Sequence, residues 1–238
     1  MEPTEHNRRA WDEVHGRGTG AMRGRLGIPA PVRERLPDLE GKHVLHLQCG
    51  TGESTAELSD LGALVTGVDI SSEAIKIAHE RAPTAAFIQS DVQQLPIQLE
   101  HGRFDVVFTG GGVLTWLQDL DAWLHGIVGT LKPGGSLFLY DGHPVASCLD
   151  ITLRWREDYF DEEPQPNVGL ARFDLSGPAA EEQKVERFWR LGQIVTAVAQ
   201  SGLLLRSLEE FPEFDPSRHR DRRIPGDFVL IADKPREA

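Results

Sequence analysis

Residues 43–55, HVLHLQCGTGEST, join an apolar run to two glycines and the start of a helix. The run at 44–47 predicts a buried strand, and a helix is expected to begin directly after Gly52. Gly50 and Gly52 let the backbone turn tightly and approach a ligand where a side chain would collide. The first helical turn presents unpaired N–H groups to polar or anionic atoms. This order predicts the front of a nucleotide-binding α/β unit.

Beyond this stretch, short apolar runs alternate with segments whose apolar residues recur at helical spacing. Strands are predicted at residues 43–47, 64–68, 86–89, 104–109, 136–140, 203–209 and 227–232. Helices are predicted at residues 54–61, 72–82, about 120–131 and 188–201. This alternation predicts an α/β, Rossmann-like fold with a seven-stranded, mostly parallel sheet and helices on both faces. Only a loop separates the last two strands, so we expect the last strand to be antiparallel.

Two segments fall outside this alternation. Residues 1–40 are expected to form a helical lead-in or cap, with a helix at 7–15 that carries Trp11. Residues 41–238 then form one domain. Within it, residues 142–187 are rich in Asp, Glu, Pro and Arg. They predict an insertion that covers the substrate at the carboxyl edge of the sheet, with a short hairpin at 153–160.

The composition narrows the choice of partners. The 238-residue chain has a formal net charge of −12, which disfavours a nucleic-acid partner because phosphate binding needs a positive surface. Two cysteines without a CxxC pair disfavour a disulfide framework or structural zinc and favour a reducing cytoplasm. The N-terminal sequence lacks the apolar core of a signal peptide, and no apolar run has the length of a membrane span. We expect a cytoplasmic monomer or homodimer without a membrane or metal partner.

Polar residues follow several predicted strands. Asp69 ends the second strand, where a carboxylate can accept hydrogen bonds from both hydroxyls of a ribose. Asp91 follows the third strand and is suited to an adenine amine, with Val92 packing on the ring. Thr109 and Gly110 end the fourth strand, where the backbone can again approach a ligand. Together these residues predict a nucleoside site at the carboxyl edge of the sheet.

Five motifs in this order resemble the class I S-adenosylmethionine-dependent methyltransferases. The first motif of that family reads VLDLGCGTG, and residues 44–52 read VLHLQCGTG. VTGVDIS (65–71) is similar to the ribose motif, and QSDVQQLP (89–96) to the adenine motif. FDVVFTGGG (104–112) and LKPGGSLFL (131–139) are similar to the segments at the fourth and fifth strands. The resemblance covers about residues 40–142.

The resemblance implies S-adenosylmethionine as cofactor, S-adenosylhomocysteine as product and no metal. It implies a small-molecule acceptor with an O, N or C nucleophile, in a role such as bacterial secondary metabolism. The motif of base-methylating enzymes, Asn/Asp-Pro-Pro-Tyr/Phe, does not follow the fourth strand. The residues that the resemblance assigns to the cofactor are Gln48, Cys49, Gly50, Thr51, Gly52, Asp69, Ile70, Asp91, Val92, Thr109 and Gly110.

Two residues of the first motif depart from the family pattern. His46 stands where the family usually has an acid near the methionyl amine, and Gln48 replaces a glycine. Either a backbone carbonyl or Gln48 is then left to hold that amine. The same departures support an alternative, a catalytically silent nucleotide-binding module of this fold. A nicotinamide oxidoreductase is less compatible, because the third glycine of its fingerprint would fall on Thr55 and because Asp91 has no place in it.

Methyl transfer needs alignment of the reacting atoms and, for a hydroxyl or ammonium acceptor, a base. His143, just beyond the fifth strand, is the candidate base because histidine titrates in the useful range. The alternative is a turn histidine held by Asp141 and Pro144. Candidate substrate-binding residues, each with ordinary packing as its alternative, are Trp11, His15, Trp116 and Tyr159. A basic loop suited to an acidic acceptor, or else simply solvated, contains Arg218, His219, Arg220, Arg222 and Arg223.

Overall fold

Helices and strands alternate through the part of the chain that the computed structural model describes: residues 2–16, 27–99, 101–150, 152–161, 165–168, 183–214 and 221–236. Only the backbone is described for residues 165–168 and 183. The strands are β1 (His43–Leu47), β2 (Leu64–Asp69), β3 (Ala86–Gln89), β4 (Phe104–Gly110), β5 (Leu131–Gly142), β6 (Gln165–Val168), β7 (Gln183–Glu186), β8 (Leu204–Phe211) and β9 (Asp227–Asp233). The helices are α1 (Pro3–Gly16), α2 (Ala30–Arg33), α3 (Glu53–Asp60), α4 (Ser72–Arg81), α5 (Leu120–Thr130), α6 (Pro144–Ser147) and α7 (Leu191–Gln200). Single 3₁₀ turns lie at Ile97–Leu99 and Leu114–Trp116.

Seven of these strands form one sheet in the order β3-β2-β1-β4-β5-β9-β8. The strands β1 to β5 run parallel, and β9 runs antiparallel to both β5 and β8. The predicted Rossmann-like α/β fold is confirmed, and the antiparallel last strand lies between β5 and β8. The strand order reverses between β1 and β4, so their carboxyl ends flank the crevice in which open α/β sheets bind ligands.

Both faces of the sheet are buried, as a parallel sheet requires. On one face, Trp123 of α5 and Ile194 of α7 belong to the same apolar cluster as Leu45 of β1. On the other face, Leu58 of α3 packs in a cluster with Val44 of β1. The neighbouring residues 44 and 45 point to opposite faces because side chains alternate along a strand. The sheet is therefore a rigid support for the loops at its carboxyl edge.

The predicted hairpin at 153–160 is wrong for the residues that the structure describes there. An isolated bridge between Leu149 and Trp155 stands in its place. The carboxylate of Asp150 accepts the N–H groups of Thr152 and Arg154 at 2.7 and 3.0 Å, so the chain coils around that side chain and does not extend. The two strands within the insertion are β6 and β7, which form a separate antiparallel pair.

Several element boundaries also differ from the prediction; for example, the helix expected at 7–15 spans Pro3–Gly16. The last helix was expected from residue 188 but begins at Leu191, because Arg190 is its extended N-cap residue and donates its backbone N–H to Oε1 of Gln193 at 3.0 Å. The strand β5 begins at Leu131, earlier than expected, because Leu131 already pairs with Phe104 before the glycine turn. Of the basic loop, residues 218–220 lie outside the described residues. No helix in the described ranges has both the length and the apolar character of a membrane span.

Candidate active site

Asp69 joins the end of β2 to the glycine turn after β1. Its Oδ2 accepts the N–H of Gly50 at 2.8 Å, and its Oδ1 accepts the N–H of Ser71 at 2.9 Å. Burial raises the pKa of Asp69, while the N–H donors and the nearby His15 oppose that effect. A carboxylate oxygen has more than one acceptor site, so each oxygen can accept a further hydroxyl. Asp69, the residue predicted to bind the ribose, therefore lies next to the predicted glycine turn.

The two glycines of the turn serve different purposes. Gly50 and Gly52 both have positive φ, at 54° and 84°. A Cβ on Gly52 would lie 3.0 Å from the Cα and Cβ of Ala78 in α4, so this glycine allows close packing of the backbone. A Cβ on Gly50 would meet no atom of the described residues within 4 Å. The backbone at Gly50 therefore borders open space, and the start of α3 presents its N–H groups beside it.

Gln48 adopts the backbone conformation that the family's glycine would adopt easily. Its φ is 53°, in the left-handed region that costs a non-glycine residue about 1–2 kcal/mol. The side-chain Nε2 donates to the carbonyl of Val113 at 3.0 Å. Among the described residues, its Oε1 receives only a long contact of 3.5 Å from the hydroxyl of Thr109. Gln48 thus bridges the ends of β1 and β4 and keeps an amide oxygen with capacity to accept a hydrogen bond.

His46, by contrast, is a buried residue beneath α3. Its Nδ1 lies 2.8 Å from the hydroxyl of Thr55, and its ring meets Phe108 edge-on at 5.3 Å between centroids. Burial lowers the pKa of His46 to about 3, so the imidazole is neutral at physiological pH. His46, which stands in place of the family's acid, is therefore a neutral core residue. Cys49 is also buried, and burial raises the pKa of its thiol.

Asp141, which the sequence analysis considered only as a neighbour of His143, organises the loop after β4. Its carboxylate accepts the N–H groups of Gly112, Val113 and Leu114 at 2.6, 2.9 and 2.9 Å. It also accepts the N–H of Gly142 at 2.7 Å. Burial raises the pKa of Asp141, and these four donors partly offset that effect. The carboxylate thereby accepts backbone N–H groups that a neighbouring strand would otherwise bind, and it holds this loop at the carboxyl edge of β4.

Gln93 is a second residue that the motifs did not single out. Its backbone N–H donates to Oδ1 of Asp91 at 2.9 Å. This hydrogen bond orients Asp91, the residue predicted to bind the adenine. Its side-chain Oε1 accepts the N–H groups of Gln118 and Asp119, both at 2.8 Å. Val92 between them is buried. The adenine motif is therefore tied to the start of α5.

The lead-in helix α1 lies across this edge of the sheet. Oδ1 of Asp12 accepts the hydroxyl of Ser71 at 2.8 Å, next to Asp69. His15 is buried on the same helix, and Asp69 is the first of the carboxylates that oppose the lowering of the pKa of His15 by burial. The side chain of Asn7 exchanges two hydrogen bonds with the backbone of Val185 in β7, at 2.8 and 2.9 Å. The helix thus connects the surroundings of Asp69, the residue predicted to bind the ribose, to the insertion.

Trp11, His15 and Trp116 form an aromatic group that we call the aromatic lid, and its His15 is close enough to Asp69 to interact with it electrostatically. The rings of Trp11 and His15 stack at 5.5 Å, and those of Trp11 and Trp116 meet edge-on at 5.1 Å. Three of the four predicted substrate-binding residues are therefore together. The fourth, Tyr159, makes its ring contacts with Phe160 and Phe188, at 5.4 and 5.7 Å.

His143 is engaged elsewhere. Its side chain caps α6, where Nδ1 accepts the N–H of Val145 at 3.2 Å. Its Nε2 lies 2.8 Å from Oε1 of Glu210 in β8, and its ring faces Phe228 of β9. Burial lowers the pKa of His143, and Glu210 opposes that effect. Nδ1 thus faces α6, and Nε2 faces Glu210 of β8. In the described residues, no three His, Cys, Asp or Glu side chains are grouped as a metal site would require.

Comparison with known proteins agrees with this geometry. A family model described as a methyltransferase domain matches residues 45–139. Residues 45–139 are therefore similar to a methyltransferase domain. A crystal structure of a putative S-adenosylmethionine-dependent methyltransferase from Listeria monocytogenes shares the fold of this domain, with a TM-score of 0.69, 23% identity, and coverage of 86% of this chain and 96% of that one. The resemblance found in the motifs is thereby confirmed.

Two curated relatives are similar over the methyltransferase domain. An uncharacterised methyltransferase of Synechocystis is 37% identical over 49% of this chain and 54% of its own length. A ubiquinone biosynthesis O-methyltransferase of Coxiella burnetii is 35% identical over 62% of this chain and 65% of its own length. The chain therefore spans between half and two thirds of the length of these relatives. The domain match argues against a nicotinamide oxidoreductase.

Proposed function

We propose that this protein transfers the methyl group of S-adenosylmethionine to a small-molecule acceptor and releases S-adenosylhomocysteine. The observation that carries the proposal is the contact between Asp69 and Gly50. It puts a carboxylate suited to ribose hydroxyls next to a turn whose Gly50 faces open space, at the strand reversal where open α/β sheets bind ligands. A biosynthetic role, such as bacterial secondary metabolism, and a monomeric or homodimeric state belong to the same proposal.

The residues present fit this cofactor. Asp69, with the backbone of Ile70 beside it, would hold the ribose, while Asp91 and Val92 would hold the adenine. The glycine turn from Cys49 to Gly52 would border the methionyl group. When bound, the cofactor supplies a methyl group that its positive sulfur has already activated. The remaining residues that the family pattern assigns to the site are Thr51, Thr109 and Gly110.

Gln48 is the residue that we propose for the methionyl ammonium. Its Nε2 donates to the carbonyl of Val113, which directs the amide, and within the described ranges its Oε1 has only the 3.5 Å contact from Thr109. An amide oxygen is a good acceptor for an ammonium donor. His46 is neutral and lies beneath α3, so it does not take the place of the family's acid.

The acceptor would lie under the aromatic lid. Trp11 and Trp116 offer apolar ring surface, and α1 limits the access of water to the methyl group. Lead-in residues 1–40 and insertion residues 142–187 would thus form the cap over the site. The chain's role in transfer is to align the nucleophile with the methyl carbon and to keep the site dry.

The general-base role of His143 stays a prediction, and its contacts with Val145 and Glu210 favour the structural alternative. A test is His143→Gln, assayed once an acceptor is known. Loss of a base lowers kcat by about 10²–10⁴-fold with the acidic limb of the pH profile removed and KM preserved. Loss of a cap lowers the melting temperature and leaves the shape of the pH profile intact.

The alternative function is cofactor binding without transfer, which the departures at His46 and Gln48 motivate. Calorimetric titration with S-adenosylmethionine and S-adenosylhomocysteine tests the shared first step. We expect both to bind, and we expect Asp69→Asn to weaken binding by about 10- to 100-fold. Asp60→Asn is the matched control, because Asp60 is exposed at the far end of α3. If the folded protein binds neither compound, both methyl transfer and cofactor binding without transfer are refuted. If it binds them but transfers a methyl group to no acceptor in a broad screen, the result supports cofactor binding without transfer.

A further inference from the structure

Lys184 in β7 is a buried cation without a visible partner. Its side chain is 0% exposed, and its Nζ has no hydrogen-bond partner among the described residues. Nor does it form an ion pair within that part of the chain, although Glu186, two positions along β7 and also buried, contributes an attractive field. Burial of an ammonium is unfavourable unless an anion or several acceptors compensate it. Such a group in a cap over a ligand site needs an explanation.

The strand β7 holds Lys184 firmly against the site. The N–H of Arg187 donates to the carbonyl of Thr115 at 2.8 Å, and Nε2 of Gln118 donates to the carbonyl of Val185 at 3.1 Å. Asn7 of α1 binds the same backbone from the other side. Lys184 is therefore held between the lead-in helix and the loop that follows β4.

The ammonium of Lys184 reaches the aromatic lid. Its Nζ lies 5.8 Å from the ring centroid of Trp116, whose ring contacts Trp11. Trp11 in turn stacks on His15, which is close enough to Asp69 to interact with it electrostatically. A series of ring contacts therefore runs from Lys184 to His15, and the electrostatic interaction of His15 with Asp69 extends it to the proposed ribose-binding residue. A molecule under the lid would meet two indole rings and one positive charge.

We propose that Lys184 binds an anionic group of the methyl acceptor, and that the acceptor is a planar, largely apolar molecule that carries a carboxylate or an ionised hydroxyl. The assignment rests on the proposed function. The anion would supply the partner that Lys184 lacks, and the indoles of Trp11 and Trp116 would contact the apolar body. A bound sulfonium is a second cation in this site, so an anionic acceptor is favoured over a neutral one by both charges.

The basic loop offers a weaker alternative for the same anion. Within its described part, Arg222 and Arg223 are exposed, and the guanidinium of Arg223 is already paired with Asp221 at 2.5 Å. Exposed charges contribute little to affinity because water and salt screen them. Lys184 is buried and has neither a hydrogen-bond nor an ion-pair partner among the described residues, so a neutral analogue of the acceptor would leave its charge uncompensated. Lys184 therefore also explains discrimination against neutral molecules.

The test uses the full chain saturated with S-adenosylhomocysteine and titrated calorimetrically with benzoate, 4-hydroxybenzoate and the neutral analogue benzamide. We expect at least one carboxylate to bind more tightly than benzamide. We expect Lys184→Met to weaken the binding of that carboxylate by about 10-fold or more and to leave the affinity for benzamide unchanged. Lys42→Met is the control, because Lys42 is exposed at the amino end of β1. Lys184→Gln serves as a second variant if the methionine variant does not fold.

Each result decides the proposal. It is overturned if native protein that binds S-adenosylhomocysteine binds neither carboxylate, or if the Lys184 variants bind the carboxylates as tightly as native protein does. In both cases the proposed methyl transfer is unaffected. Failure of S-adenosylhomocysteine itself to bind native protein removes the proposed function and, with it, this assignment. Unchanged cofactor affinity in the variants shows that the loss concerns the acceptor and not the fold.

Discussion

The side chain of Asn7 holds both backbone polar groups of Val185, 178 positions away in the sequence. Nδ2 donates to the carbonyl, and Oδ1 accepts the N–H. This pair of hydrogen bonds joins the lead-in helix to the strand that carries Lys184. The two distant parts of the chain that we propose as the cap are therefore directly joined.

Loss of this contact should loosen the cap selectively. For Asn7→Leu we expect the free energy of local opening of α1 and β7 to fall by about 1–3 kcal/mol, because two buried hydrogen bonds are lost. Hydrogen exchange of these two elements measures the change, with β1 as the internal reference. Arg9→Ala is the control, since Arg9 lies on the exposed side of α1. Equal acceleration of exchange in β1 would mean global destabilisation and contradict the prediction.

Replacement of Gln48 should separate strain from ligand binding. Gln48→Gly removes the cost of a positive φ but adds the entropy of glycine, so we expect stability to change by less than about 1 kcal/mol. Affinity for S-adenosylhomocysteine should fall, because the amide that we assign to the ammonium is gone. Binding of 5′-methylthioadenosine, which has no amino acid moiety, should not change. Equal losses for the two ligands would refute the assignment of Gln48.

The two glycines of the turn should respond differently to alanine. Both substitutions introduce the strain of a positive φ, about 1–2 kcal/mol. Gly52→Ala adds a contact at 3.0 Å with Ala78, so its loss of stability in urea denaturation should be the larger one. Gly50→Ala places a methyl group in open space that the ligand would border, so it should mainly reduce cofactor affinity. A greater loss of stability in Gly50→Ala would contradict the geometry.

His46 should make the protein sensitive to acid. The pKa of His46 is lowered by burial from 6.5 to about 3, so between these values the unfolded chain binds a proton that the native protein does not. Native stability therefore falls as pH falls below 6.5, by up to about 1.4 kcal/mol per pH unit from this group. The free energy of unfolding, measured in urea at pH 7 and at pH 5, should fall between these two pH values by about 2 kcal/mol less in His46→Gln than in native protein. An identical pH dependence in native and variant protein would show that His46 is not responsible.

Lys184 should reduce stability at neutral pH. Burial lowers the pKa of Lys184 from 10.5 to about 8, so at pH 7 the ammonium is charged in both states and its burial cost is fully present. Between pH 8 and 10.5 only the unfolded chain holds this proton, so native stability gains as pH rises. Lys184→Met should be more stable than native protein by about 2–3 kcal/mol at pH 7, and the difference should shrink towards pH 10. A less stable variant at pH 7 would show that Lys184 has an anionic partner in the free protein.

Much of the fold, and the meeting of Asp69 with Gly50, could be predicted because the signals are local. The apolar run of β1, the glycines after it and Asp69 at the end of β2 lie within 27 consecutive residues, 43–69. Strand ends of parallel strands meet at one edge, so the order of elements alone brings Gly50 and Asp69 together. The error at 153–160 has a local cause as well, because the turn around Asp150 competes with an extended strand.

The sequence by itself determined the class of domain, the seven-stranded sheet and the residues suited to the nucleoside, since each depends on periodicity or on spacing along a short stretch. Only the tertiary structure decided that Asn7 binds Val185, that Asp141 holds the loop after β4, that His143 faces Glu210, and that Lys184 lies buried beside Trp116. The physical reason is that burial and partner choice depend on groups that are distant in sequence. A lysine in a polar insertion has the same local signature whether it is solvated or aimed at a binding site.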